Sequence, residues 1–198
     1  MANIIFESQR GYDSIPVDDV LMKTREIFLC NAVDSQSCSE LIKQMLFLDR
    51  QEEHEEITLY INSQGGEVQA GLAVYDAIRM LQSSLKTVCI GICASMGAVI
   101  YLAGDNREMM EHGKIMLHDP SYSGEHNTGG KKPAELQAEL DDLNRCRESL
   151  AKIIAERTGK SIEDIYEITA NDTYYSAEDA IEYGLATKIL KRGDKQNS

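Results

Sequence analysis

The chain of 198 residues predicts an α/β fold with a parallel sheet, on three observations. Short apolar runs rich in β-branched residues occur at 57–62, 87–93 and 114–118. Between such runs lie segments whose apolar residues recur at helical spacing, and repeated strand–helix–strand units imply a parallel sheet covered by helices. Glycine- and serine-containing breaks fall at strand ends, where sheets of this kind gather functional groups.

Taken in order, residues 26–31 read as a short apolar strand. Ser35 or Ser37 is placed to cap a helix running through 38–49, where Leu41, Ile42, Met45, Leu46 and Leu48 repeat at helical spacing. The charged run 51–56 reads as a solvated connection. A strand at 57–62 follows, punctuated by Gly65-Gly66, and then a helix from Val68 to about Leu81. The strand at 87–93 ends in a bend at Ser95, a helix reaches about Ala103, and 114–118 forms another strand. Pro133 suits a helix start. From there Leu136, Leu140, Leu143, Leu150 and Ile153 or Ile154 make an apolar stripe that ends near Gly159. An ordinary amphipathic helix lying on its own core fits that stripe too.

Composition narrows the function. The length suits one domain with a sizeable core. A net charge of −13 argues against nonspecific binding to nucleic acid or to an anionic membrane. No apolar stretch reaches the roughly 18 to 20 residues that span a bilayer, and the start lacks a signal-peptide pattern. Five scattered cysteines in apolar segments point to reduced thiols and a cytoplasmic location. Cys89 and Cys93, on one face of a regular strand, would lie about 13 Å apart and share no metal. No metal site is expected.

Three breaks carry the chemistry. Ser95 stands where an apolar strand turns into a helix, which exposes its side chain beside the outward-pointing N–H groups of the helix start. A nucleophile uses that setting, and so does a plain serine N-cap. Gly66, in Asn62-Ser-Gln-Gly-Gly-Glu67, permits close backbone approach; its N–H and that of Met96 could form a two-donor oxyanion hole, or the diglycine could be a simple turn. His118 ends its strand just before Asp119-Pro120, so it is placed to face a cleft in the same sense as Ser95. The other histidines, His54, His112 and His126, lie in polar loop or turn sequence.

Together these strings resemble one family. Leu59-Tyr-Ile-Asn-Ser-Gln-Gly-Gly66, Gly91-Ile-Cys-Ala-Ser-Met-Gly-Ala98, Met116-Leu-His-Asp-Pro120 and Tyr175-Ser-Ala-Glu-Asp-Ala-Ile-Glu-Tyr-Gly-Leu185 are similar, in order and spacing, to the proteolytic subunit of the Clp protease. The resemblance runs from about Ile4 to Leu190. It implies a serine endopeptidase with Ser95 as nucleophile, His118 as general base and Asp172 as orienting carboxylate. The oxyanion donors carry over as Gly66 and Met96. Without the family, Asp172 could not be chosen over Asp119 or Asp164. The implied fold is crotonase-like: stacked βαβ units forming a head, followed by a long handle helix.

The implied assembly is a heptameric ring, homo- or hetero-oligomeric, stacked in pairs as a tetradecamer. An AAA+ ATPase of the ClpX, ClpA or ClpC type would feed it unfolded polypeptide. The subunit itself would need no cofactor, ATP being used by the partner. By this resemblance residues 1–17 form an axial-loop segment and 18–190 the peptidase domain, while the polar tail 191–198 reads as disordered.

The chain also departs from the family pattern. Gln64 stands at a usual proline, and Thr58 replaces an aromatic found in some members in the pocket that docks the ATPase, although Tyr60 is retained. Residues 121–130 replace a Gly- and Gln-rich stretch that bears on ring docking and substrate binding. Ala170 and Asn171 stand where many members carry an Asp-Arg pair linking the rings to the active site, which predicts low basal activity. Two other classes compete: a crotonase-type acyl-CoA enzyme with the same fold and backbone donors but no nucleophilic serine, and a non-catalytic or low-activity ring partner.

Overall fold

The computed structural model describes residues 2–8, 11–122 and 130–194. Its chain opens with an antiparallel hairpin of β1 (Asn3–Ser8) and β2 (Gly11–Pro16), in register from Asn3 opposite Pro16 to Ser8 opposite Gly11. The sequence shows no long periodic pattern there. A helical turn, α1 (Val17–Met22), leads into β3 (Glu26–Leu29).

Helix α2 (Ser35–Gln51) is capped by Asp34 and not by Ser35 or Ser37. The Asp34 carboxylate accepts from the N–H groups of Gln36 and Ser37 at 2.9 and 2.8 Å, and these bonds hold its carboxyl below the usual range. The Ser37 hydroxyl completes a capping box with the Asp34 backbone. Strand β4 (Ile57–Ser63), helix α3 (Val68–Arg79), strand β5 (Leu85–Ala94) and helix α4 (Met96–Leu102) then follow where the periodicity places them. The strand β6 (Asn106–Met110) and β7 (Lys114–Leu117) come next, and the long helix α5 occupies Pro133–Thr158. The chain closes with α6 (Ile162–Thr169), β8 (Thr173–Tyr175), α7 (Ala177–Tyr183) and β9 (Lys188–Leu190).

Strands β3, β4, β5, β6 and β9 lie side by side in that order, all parallel. Strand β5 forks. Its first half, Lys86 to Cys89, pairs with β6, and its second half, Ile92 to Ala94, pairs in parallel with β7. Strand β8 runs antiparallel on the far side of β7. At the fork the ladder with β4 slips: Cys89 lies opposite Ile61, yet Cys93 lies opposite Ser63, so β5 carries extra chain there. A Cβ on Gly91 would stand 2.5 Å from Asn62 Oδ1, which accepts from Ile92 N–H at 3.1 Å, so a larger residue there would displace this bond.

That bulge lies between Cys89 and Cys93, so the uniform rise assumed for their spacing does not hold. Both are fully buried in the core, where Cys89 Sγ donates to Lys114 O at 3.5 Å and Cys93 Sγ to Ile61 O at 3.9 Å. The neighbouring Cys93 thiol lowers the Cys89 thiol pKa, while burial pushes that of Cys93 well up. Core packing on the sheet is dense, with Met45, Leu48, Leu59, Ile61, Ile100 and Met109 fully buried. Helix α5 has two different halves. Its C-terminal half buries Leu150, Ala151 and Ile154, whereas Leu136 and Leu140 toward its start are exposed. Arg157 fastens the packed end, donating to the carbonyls of Leu102 at 2.7 Å and Gly104 at 2.6 Å.

Near the C-terminus the Asp194 carboxylate accepts from Lys191 N–H at 3.1 Å within a turn. Residues 195–198 of the expected disordered tail lie outside the described residues. So does most of the divergent stretch 121–130. Among the described residues no helix is long and apolar enough to cross a membrane.

Candidate active site

The site grows from the corner between β5 and α4. Ser95 has φ 52° and ψ −122°, a backbone conformation that side-chain-bearing residues rarely adopt. Strain of this kind persists only where the surroundings over-determine it. Here Ser95 N–H donates to Met116 O at 2.9 Å on β7, and its carbonyl accepts from Ala98 and Val99. Its hydroxyl makes no capping bond, so the N-cap reading fails for the side chain. Instead Ser95 Oγ lies 2.9 Å from His118 Nε2.

His118 is delivered by β7, and Asp172 precedes β8. These two strands pair through Leu117 opposite Thr173, the last rung of their ladder. His118 and Asp172 thus leave adjacent strands at one edge. The gap between His118 Nδ1 and Asp172 Oδ1 is 3.9 Å, beyond hydrogen-bond range. The Asp172 side chain is 61% exposed, against 27% for His118.

The diglycine packs under the serine. Gly65 has φ +88°, and a Cβ there would stand 2.6 Å from Ala94 O, 2.8 Å from Ser95 Cβ and 2.9 Å from Met96 N. Gly66, at φ +152°, would drive a Cβ to 2.2 Å from Val33 O. Both positions require glycine. Val33 clips the loop from the other side, donating to Gly65 O at 2.9 Å and accepting from Glu67 N–H at 2.7 Å. Met96 opens α4, where an N–H has no partner within its own helix. All five residues singled out from the sequence therefore belong to two touching corners and the strand ends beside them. Gly65 was missed. Its signal was the same diglycine, in which only the second residue was weighed.

The rival carboxylates are otherwise engaged. Asp164 closes a capping box with Ser161 at the start of α6. Asp119 contacts Thr169 and Arg147. A small apolar pocket opens beside Ser95 and His118, lined by Val68, Met96, Val99, Leu117, Leu150 and Ile154. A larger cleft of about 430 Å³ lies elsewhere, between β3 and α2, with Asp18, Asp34 and Glu40 on its walls and no nucleophile–base pair in it.

This arrangement can support acyl transfer: a strained, accessible hydroxyl, an imidazole in contact with it, and backbone donors at a helix start beside it. The model of the Clp protease family matches residues 9–193, a span that includes every residue of the corner and the long helix projecting from the sheet. The parallel head sheet with its protruding α5 is the fold of a Clp-type proteolytic subunit, and the chain belongs to the Clp protease family.

Proposed function

We propose that the protein is a serine endopeptidase subunit that cleaves unfolded polypeptide inside a ring-shaped chamber. The 2.9 Å contact between Ser95 Oγ and His118 Nε2 at a strained strand–helix corner carries this reading. His118 takes the proton as Ser95 attacks the peptide carbonyl and returns it to the leaving amine. The N–H groups of Gly66 and Met96 receive the oxyanion. Asp172 fixes the imidazole tautomer and stabilises the imidazolium once the 3.9 Å gap closes. Water then hydrolyses the acyl-enzyme by the same relay in reverse.

Family membership supports partnership with an AAA+ unfoldase and stacking of rings. The exposed Leu136 and Leu140 on α5 suit burial against another subunit. The half-exposed Phe28, stacked on Tyr60 at 5.0 Å, suits docking of a partner's apolar side chain. The hairpin β1–β2 takes the place of the axial segment. The open His118–Asp172 distance favours one second reading, a ring partner of low basal activity whose site closes on assembly.

Two measurements test the proposal. Wild-type protein is expected to hydrolyse a fluorogenic peptide and to be labelled by a fluorophosphonate, while Ser95→Ala does neither and keeps its melting temperature. Equal hydrolysis by the two proteins would overturn the assignment of Ser95. Hydrolysis of an acyl-CoA thioester without fluorophosphonate labelling would point to the crotonase-type alternative.

A further inference from the structure

His118 and Asp172 do not yet touch, but a second set of contacts already joins the segments that carry them. Asp119, next to His118, donates its backbone N–H to Thr169 O at 2.7 Å. Its carboxylate Oδ1 accepts from the Thr169 hydroxyl at 2.6 Å. Thr169 ends α6, three residues before Asp172, and is buried. On the other side of the same carboxylate, Arg147 Nε of α5 stands 2.7 Å from Asp119 Oδ2, as an ion pair with its N–H off the line to the oxygen. The guanidinium also lies over the Tyr166 ring of α6, 4.2 Å from its centroid.

We infer that Arg147, Asp119 and Thr169 form a clamp that sets the spacing between His118 and the end of α6, where the turn to Asp172 begins, with Asp119 as a positioning residue. This inference rests on the reading of Ser95, His118 and Asp172 as a peptidase triad. Each arm of the clamp has its own element: the end of β7 for Asp119, the end of α6 for Thr169, and α5 for Arg147. The ion pair is about one-third exposed on both sides, where such pairs add little to stability. Its contribution is geometric. Without Arg147 the carboxylate is free to leave Thr169, and the two segments lose their fixed separation. Misplacement of about 1 Å at a reacting group costs up to about 10²-fold in rate.

The test compares Asp119→Asn, Arg147→Met, their double variant and Arg147→Lys with wild type. Each single variant is expected to lower kcat on a fluorogenic peptide about tenfold with KM within about twofold. The double variant should be no worse than either single one, as for residues acting as a unit, and Arg147→Lys should recover most of the loss. Losses that multiply in the double variant, or a kcat loss that only follows a fall in melting temperature, overturn the clamp. If wild type neither hydrolyses peptide nor reacts with fluorophosphonate, the peptidase reading fails and the clamp is read by amide hydrogen exchange. Arg147→Met should then speed exchange in both 118–122 and 169–173, and unchanged exchange in either segment overturns it.

Discussion

The two flanks of His118 are built differently. On the Ser95 flank everything is packed: Ala94 and Met96 are buried, Gly65 and Gly66 fit with no room for a Cβ, and the hydroxyl meets the imidazole at 2.9 Å. On the Asp172 flank the carboxylate is mostly exposed, the turn before it is exposed at Ala170 and Asn171, and the distance is 3.9 Å. A buried corner keeps its geometry because any displacement opens a void or a clash. A solvent-exposed turn can shift by an ångström at small cost, so this side is where the site can be switched. The difference teaches that the Ser95–His118 contact is preset here, whereas the engagement of Asp172 is adjustable.

The sharpest way to break that comparison is Asp172→Asn. Loss of the triad carboxylate's charge in trypsin-like enzymes costs about 10⁴-fold in kcat, and a loss of that order is expected here, with KM little changed. Steady-state kinetics on a fluorogenic peptide reads it. A loss below about tenfold would mean that His118 works without Asp172 and that the exposed flank is not part of the catalytic machinery.

On the packed flank the corresponding test is Gly65→Ala. The new Cβ meets the Ala94 carbonyl, Ser95 Cβ and Met96 N at 2.6 to 2.9 Å, and the backbone stays at φ +88°. Relief of those contacts must move either the diglycine or the Met96 N–H, so under the proposed mechanism a backbone donor is lost to the oxyanion. Loss of one such donor costs about 10²–10³-fold in kcat. Circular dichroism should show the fold retained, with a lower melting temperature. Near wild-type turnover would separate the diglycine from the chemistry.

The packed flank was also the legible one. β4, β5 and α3 announce themselves because each has a strong period and is bounded by glycine or a polar turn. The Ser95 corner and the His118 strand end could therefore be read from residues alone. The exposed flank could not. Asp172 lies in Asn171-Asp172-Thr173, a string with no period, and only the family resemblance distinguished it from Asp119 and Asp164. Strand β6 escapes because Asn106-Arg-Glu-Met-Met110 shows little alternation; its pairing is imposed by β5 and β9. Helix α6 carries a capping pair, Ser161 and Asp164, but is too short for a convincing stripe. The β5 bulge between Cys89 and Cys93 is invisible in a pattern argument that assumes a uniform rise. Asp119 and Thr169 stand 50 residues apart in sequence, so their bond is a property of the fold and of no local motif.

The smallest expected effect sharpens where the adjustable flank begins. Thr173 faces Leu117 on the last rung between β7 and β8, one residue after Asp172 and one residue before His118 on the facing strand. Its hydroxyl donates to Ile168 O at 2.6 Å, folding the α6–β8 turn back onto the helix end. Thr173→Val keeps the branched shape and strand preference while deleting this bond and a longer one to Asn171 O at 3.4 Å, together worth about 1 kcal/mol net. If the ladder rung sets where Asp172 emerges, kcat should fall only about two- to fivefold. If instead the turn bond sets it, Asp172 swings free and the loss should approach that of Asp172→Asn. Measuring the two variants side by side therefore assigns the hinge: a mild defect places it in residues 170–172, outside the sheet, and a severe one places it at the hydroxyl of Thr173.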